Sequence, residues 1–179
     1  YEPVNDLIRA WDQNRTYKLS EEGSLPEGMV LVVPDIDTGL LNYLGFMDRF
    51  PTQDFYYDKF EVTNRKYKEF VDAGGYSDKS YWKYKFEFNG EELPWKTAID
   101  MFVDKTGRAG PAGWEGNSYP VGKGDHPVSG VSWYEAAAYA EYAGKILPSW
   151  SHNRYMSAMW AATKVLPVSN FSGTGTATV

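Results

Sequence analysis

The 179-residue chain is predicted to be an α+β domain rich in loops, for two reasons. Aromatic residues make up 17 % of it, with 7 Trp, 14 Tyr and 9 Phe, alongside 17 Gly and 10 Pro. Short helical and strand-like patterns alternate with Gly- and Pro-rich stretches. That composition describes a turn-rich domain packed around large flat side chains and not a helical bundle.

The elements follow in order. Residues 1–24 form a polar lead-in: Val4, Leu7, Ile8 and Trp11 have helical spacing, Tyr17 to Leu19 suggests a short strand, and Glu21 to Ser24 reads as a linker. Met29 to Val33 is an apolar, β-branched run and a buried strand. Asp54 to Val62 alternates aromatic with polar residues, as a strand does. Thr63 is a helix N-cap, Tyr67, Phe70 and Val71 fall at i, i+3 and i+4, and Gly74 or Gly75 stops the helix. Aromatic and charged residues alternate over 80–90 up to Asn89-Gly90, a hairpin turn signal. Trp95 to Val103 reads as a helix with Ala98, Ile99 and Phe102 on one face. Thr106 to Pro127 is an ordered loop, and Val128 to Val131 a short strand. Ser132 and Glu135 make a capping box for a helix running to Gly144. Trp133 is expected to be buried against the helix that starts at Thr63. A third helix is expected over Ser151 to Ala162, with Tyr155, Met159 and Trp160 inward.

Composition excludes several functions. With 18 Lys and Arg against 24 Asp and Glu, the net charge is −6, which disfavours a nucleic-acid or anionic-membrane partner. Cysteine is absent, so disulfides, zinc ribbons and cysteine nucleophiles are excluded within this chain. No apolar run reaches the roughly 18 residues of a membrane span. The start at Tyr1 is read as processing, excision or an incomplete chain, and oligomeric state is not legible.

Local motifs point to little chemistry. Asp35 to Gly39 resembles the start of a calcium loop, but the Gly and Glu positions that an EF-hand requires hold Leu40 and Phe46. The glycines at 107, 110, 113 and 116 have no following Gly-Lys-Ser/Thr, so they are a structured loop and not a phosphate loop. Asp125 and His126 form a conceivable Asp–His pair without a nucleophile. His152 suits a hydrogen bond near a helix start. Asp54, Asp58, Glu61, Glu87, Glu91 and Glu92 include candidate carboxylate pairs for glycoside hydrolysis, and read equally as a solvated strand edge. Aromatics of 80–95 suit stacking on sugar rings or a core.

The ordered combination is more specific than its parts. Met29-Val30-Leu31-Val32, Tyr57 to Asn64, Phe70 to Tyr76, His126 to Tyr139 and Gly144-Lys145-Ile146-Leu147-Pro148 together resemble the formylglycine-generating enzyme, or sulfatase-modifying factor, family. The Thr106 to Trp114 loop and Ser169 to Gly173 resemble a bacterial branch whose members are sometimes fused to protein kinases. The resemblance runs from about residue 25 to the end, giving a lead-in of 1–24 and a domain of 25–179 without the carboxy-terminal half of the pattern.

That resemblance implies a modified C-type-lectin-like α+β fold with small twisted antiparallel sheets and short helices. It implies copper held by a cysteine pair in oxidase members, or iron held by histidines in ergothioneine-pathway relatives. Neither ligand set is recognisable here, so copper is expected only if residues beyond this chain supply the cysteines, and no catalytic residue is assigned. The resemblance also implies a structural calcium, held in part by an Asn side chain and the next carbonyl. Asn170 and Phe171 match that position, as half of a site. Three roles are expected: a non-catalytic part of such a domain that scaffolds or binds a protein or peptide ligand, part of an active oxidase, or a lectin-like recognition module.

Overall fold

The structure, a computed structural model, describes residues 23, 25–33, 53–149, 152–153, 169–170, 173 and 175–179. The chain divides into two compact units, 1–60 with 148–172 and 61–147 with 173–179. The expectations for 1–22, for Asp35 to Gly39 and for the body of a helix at 151–162 lie outside the described residues.

In the first unit, β1 (Met29–Val32) pairs antiparallel with β2 (Phe55–Asp58), Met29 opposite Asp58 and Val32 opposite Phe55. Both strands lie within the runs of β-branched and aromatic residues that predicted them, but β1 is half-buried rather than buried, and β2 stops at Asp58, short of the expected Val62. The β2 side chains are tied to residues near 150. The Tyr57 hydroxyl donates to Asn153 Oδ1 at 2.7 Å, and the Phe55 ring lies edge-on to His152 with centroids 4.6 Å apart.

The second unit is organised by two capped helices. Helix α1 (Asn64–Asp72) begins where Thr63 Oγ1 accepts from the Lys66 N–H. It ends at Gly74, whose φ of +81° suits a residue without a Cβ. A 3-10 turn (Lys79–Tyr81) leads to the hairpin of β3 (Phe86–Phe88) and β4 (Glu91–Leu93). Asn89 and Gly90 both take positive φ at its turn, as a type I′ turn requires. Helix α2 (Trp95–Ile99) is shorter than predicted. Phe102 leaves the helix to lie flat on Trp82, with rings 5.6 Å apart at 7°, and Val103 pairs with Ala109. Residues 128–131 are not a strand: Val128 N–H bonds to Val62 O, and Gly130 turns the chain at φ +75°.

Helix α3 (Trp133–Tyr142) carries the predicted capping box, with Ser132 and Glu135 each bonding the other's backbone N–H. Its alanines 137, 138 and 140 are buried and let large rings approach. Tyr67 and Phe70 of α1 meet Tyr139, and Phe70 also meets Tyr142. These rings, with Tyr76, Trp82, Phe86 and Trp114, form the core of this unit. Trp133 is not part of it. At the first position of α3 its side chain projects outward, 55 % exposed, and meets Tyr84 edge-on at 4.6 Å.

Candidate functional site

The polar groups that the fold gathers are buried ones. Asn64 is 6 % exposed at the start of α1. Its Nδ2 donates to Lys123 O at 2.8 Å and His126 O at 3.2 Å, and its Oδ1 accepts from Trp114 Nε1 at 3.0 Å. One side chain thus locks the helix to Trp114, Lys123 and His126, which lie 50, 59 and 62 residues further along.

Asp104, 5 % exposed, organises the glycine-rich loop. Its Oδ1 accepts from Thr106 N and Oγ1, both at 2.7 Å, and from Arg108 N at 3.1 Å, while Oδ2 accepts from Asn117 N at 2.7 Å. Burial alone would raise its carboxyl, but the bonds from Asn117, Thr106 and Arg108 prevail and hold it well below the usual carboxylate range. The ordered loop read from the sequence is therefore present, and its converging N–H groups are occupied by the protein's own carboxylate. Those N–H groups are not free to cradle a phosphate.

Glu135 is 3 % exposed. Its Oε2 accepts from the Ser132 N–H at 2.6 Å and its Oε1 from the Tyr76 hydroxyl at 2.6 Å, with Tyr67 Oη 3.2 Å beyond. Burial pushes the Glu135 carboxyl up, opposed in part by the bonds from Ser132 and Tyr76. Burial also drives both phenols far above their ordinary range, so they remain proton donors. This triad clamps α3 to α1 and to the segment after Gly75. It does not present a reactive oxygen.

The residues singled out from sequence are dispersed. Asp125 pairs with Arg65 at 2.8 Å rather than with His126, because the Arg65 guanidinium offers two charge-assisted bonds. His126 Nδ1 meets Thr176 Oγ1 at 2.9 Å instead. His152 has the expected local role, with Nδ1 accepting from the Ser149 N–H at 3.1 Å. Glu87 and Glu92 sit opposite each other on the exposed hairpin, and Lys85 bonds Glu92 at 2.8 Å, so these carboxylates form a solvated edge. Asn170 is exposed in a bend, and Phe171 lies outside the described residues. Among the described residues no three His, Asp or Glu side chains are gathered to hold a metal, and none of their helices is long and apolar enough to cross a membrane.

Sequence reasoning missed Asn64 and Asp104 as organising groups. The available signals were an Asn directly after a Thr cap, and an Asp two residues before Thr106 in a loop of glycines, the pattern of a side chain bonding its own backbone.

Comparison with known proteins fits this framework. A family model described as a sulfatase-modifying factor enzyme 1-like domain matches residues 14–163. The formylglycine-generating enzyme of Thermomonospora curvata is 33 % identical over 103 residues, covering 53 % of this chain and 34 % of that protein. The formylglycine-generating enzyme of Bos taurus is 32 % identical over 127 residues, covering 65 % and 33 %. The hercynine oxygenase of Mycolicibacterium smegmatis is 32 % identical over 95 residues, covering 49 % and 19 %. The chain thus spans about a third or less of the length of these relatives. No solved structure matches.

Proposed function

From the premise that the chain belongs to the sulfatase-modifying factor enzyme 1-like family, we propose that it supplies a non-catalytic, scaffolding and ligand-contacting part of such a domain. The observation that carries this is chemical: 179 residues contain no cysteine. Oxidase chemistry of the kind implied by the resemblance needs soft thiolates to hold Cu(I). Among the described residues the buried polar side chains do not fit that ion, since Asn64, Asp104 and Glu135 are hard donors already committed to framework hydrogen bonds.

The test is direct. The purified chain, given copper, oxygen and a sulfatase-derived cysteine peptide, is expected to leave the peptide unchanged, and an aldehyde product in the mass spectrum overturns the reading.

A second reading is favoured by the relatives' names and by the length they have outside the match: the whole protein is an active oxidase whose cysteines lie beyond Val179. A cysteine pair about five residues apart in the downstream gene supports it. The modified C-type-lectin-like description belongs to the same proposal, supported by two small antiparallel sheets among short helices and loops. So does a glycan- or peptide-binding role for the unit.

Calcium completes it. We infer that Asn170 and Phe171 are half of an oxygen site. Calcium takes six to eight oxygens, and an amide oxygen with one carbonyl does not displace its water. Calorimetry is expected to show no submicromolar calcium binding by this chain, and such binding would mean that the site is complete.

A further inference from the structure

A cavity of about 210 Å3, open to solvent, lies between the end of α1 and the loop of residues 104–117. Arg108, Ser77 and Asn117 supply its polar wall, and Val71, Ala109 and Tyr76 its apolar one. All three polar groups have unspent capacity among the described residues. Arg108 forms no ion pair there, and its guanidinium makes a single long contact, Nη1 to Gly116 O at 3.5 Å. Ser77 is exposed at the cavity rim, and Asn117 Oδ1 is buried without a partner among the described residues.

An unpartnered buried acceptor costs about 1–3 kcal/mol, and Asn117 Oδ1 has no protein partner among the described residues. The Gly116-Asn117 turn has φ of 62° and 63°, and a glycine would serve the backbone at 117 with less strain. An amide oxygen and a carboxylate are both acceptors, so Asn117 serves an anionic guest through its Nδ2 donor. The loop itself is rigid, since Asp104 binds the backbone N–H groups of Thr106, Arg108 and Asn117. It therefore presents Arg108 and Asn117 from a fixed frame.

We propose that this cavity binds a small monocarboxylic acid, its carboxylate on Arg108 with Ser77 and Asn117 beside it, and its apolar body against Val71, Ala109 and the Tyr76 ring. The chemistry selects this class. A guanidinium fork matches a carboxylate in two bonds. The Tyr76 hydroxyl is taken by Glu135, so only its ring faces a guest. The volume of about 210 Å3 admits a small organic acid. The chain's net charge of −6 favours a monoanion over a dianion. The Asp104 carboxylate is already engaged by four donors of its own loop.

Benzoate is the probe, titrated into the full chain and followed by amide chemical shifts, with benzyl alcohol and inorganic phosphate as controls. Benzoate is expected to move Val71, Ser77 and Asn117 saturably. Arg108→Gln, at an exposed position, should weaken binding about tenfold or more while melting as the parent does. Ala109→Leu should block the site with Arg108 intact. The proposal is overturned if benzoate leaves those residues unmoved, if Arg108→Gln binds as the parent does, if benzyl alcohol binds equally well, or if phosphate binds and benzoate does not.

Discussion

Replacing Asp104 by Asn tests whether one buried carboxylate holds the glycine-rich loop together. The substitution keeps shape and volume. The amide oxygen can face Thr106 and Arg108, whose three donors approach Oδ1 at 2.7–3.1 Å. The NH2 group then confronts the Asn117 N–H, which in the parent lies 2.7 Å from Oδ2. One hydrogen bond to a charged acceptor is lost, worth about 1.5–3 kcal/mol, and three others fall toward the neutral range of about 0.5–1.5 kcal/mol. These terms are not additive within one network, so a net loss of about 3 kcal/mol is expected. For a chain of this size that lowers the melting temperature by about 6–12 °C. The pH dependence isolates the charge. The folded carboxyl titrates below its unfolded value of about 3.9. Its contribution is therefore complete above that value and is lost as pH falls through it toward the folded one. Thermal unfolding followed by circular dichroism should show a gap between parent and variant that is constant near neutral pH and narrows steadily below about pH 4. Equal melting temperatures at pH 7, or a gap that persists unchanged into strong acid, would refute the argument that this carboxylate is ionised and organises the loop.

Two further substitutions probe the packing. Gly75→Ala places a Cβ 2.1 Å from Cε2 of Phe70, a ring with 0 % exposure and no room to retreat. Overpacking of this kind costs about 1–3 kcal/mol, so the urea midpoint should fall clearly, and an unchanged midpoint would show that the α1–α3 core is looser than described. Trp133→Ala should cost about 1–3 kcal/mol, the value of its two ring pairs with Tyr84 and Tyr134. Phe70→Ala in the same assay should cost about 3–5 kcal/mol, and equal losses for the two would place Trp133 back in the core.

What could be read from sequence was whatever local chemistry decides. Thr63, Gly74, Ser132, Glu135 and Asn89-Gly90 act on backbone within a few residues of themselves, and the capping and turn geometry matched their types. Trp133 shows where that reasoning ends. An aromatic next to a capped helix start looks like core, but its exposure depends on which face the helix turns to Tyr67 and Phe70, and Ala137, Ala138 and Ala140 decide that by being small. Phe102 fails in the same way, since its helical spacing after Ile99 is overridden by a flat stack on Trp82, twenty residues earlier in the chain.

The organising polar groups were harder to see because their partners are distant. Asn64 earns its place only when Trp114, Lys123 and His126 come to meet it. Glu135 was visible as a cap, yet nothing local announces that its other oxygen receives Tyr76. A capping glutamate is ordinarily exposed, and this one is buried, so the same carboxylate serves both a local and a long-range constraint. This is also why chemistry cannot be assigned from residue types alone in such a domain. Asp104, Glu135 and Asn64 resemble catalytic or ligand-holding residues by type and burial, but their lone pairs are already used by the framework. The groups with capacity left over, Arg108, Ser77 and Asn117, are individually unremarkable in sequence. Only the turn that follows α1, brought against the loop fastened by Asp104, makes them neighbours around one cavity.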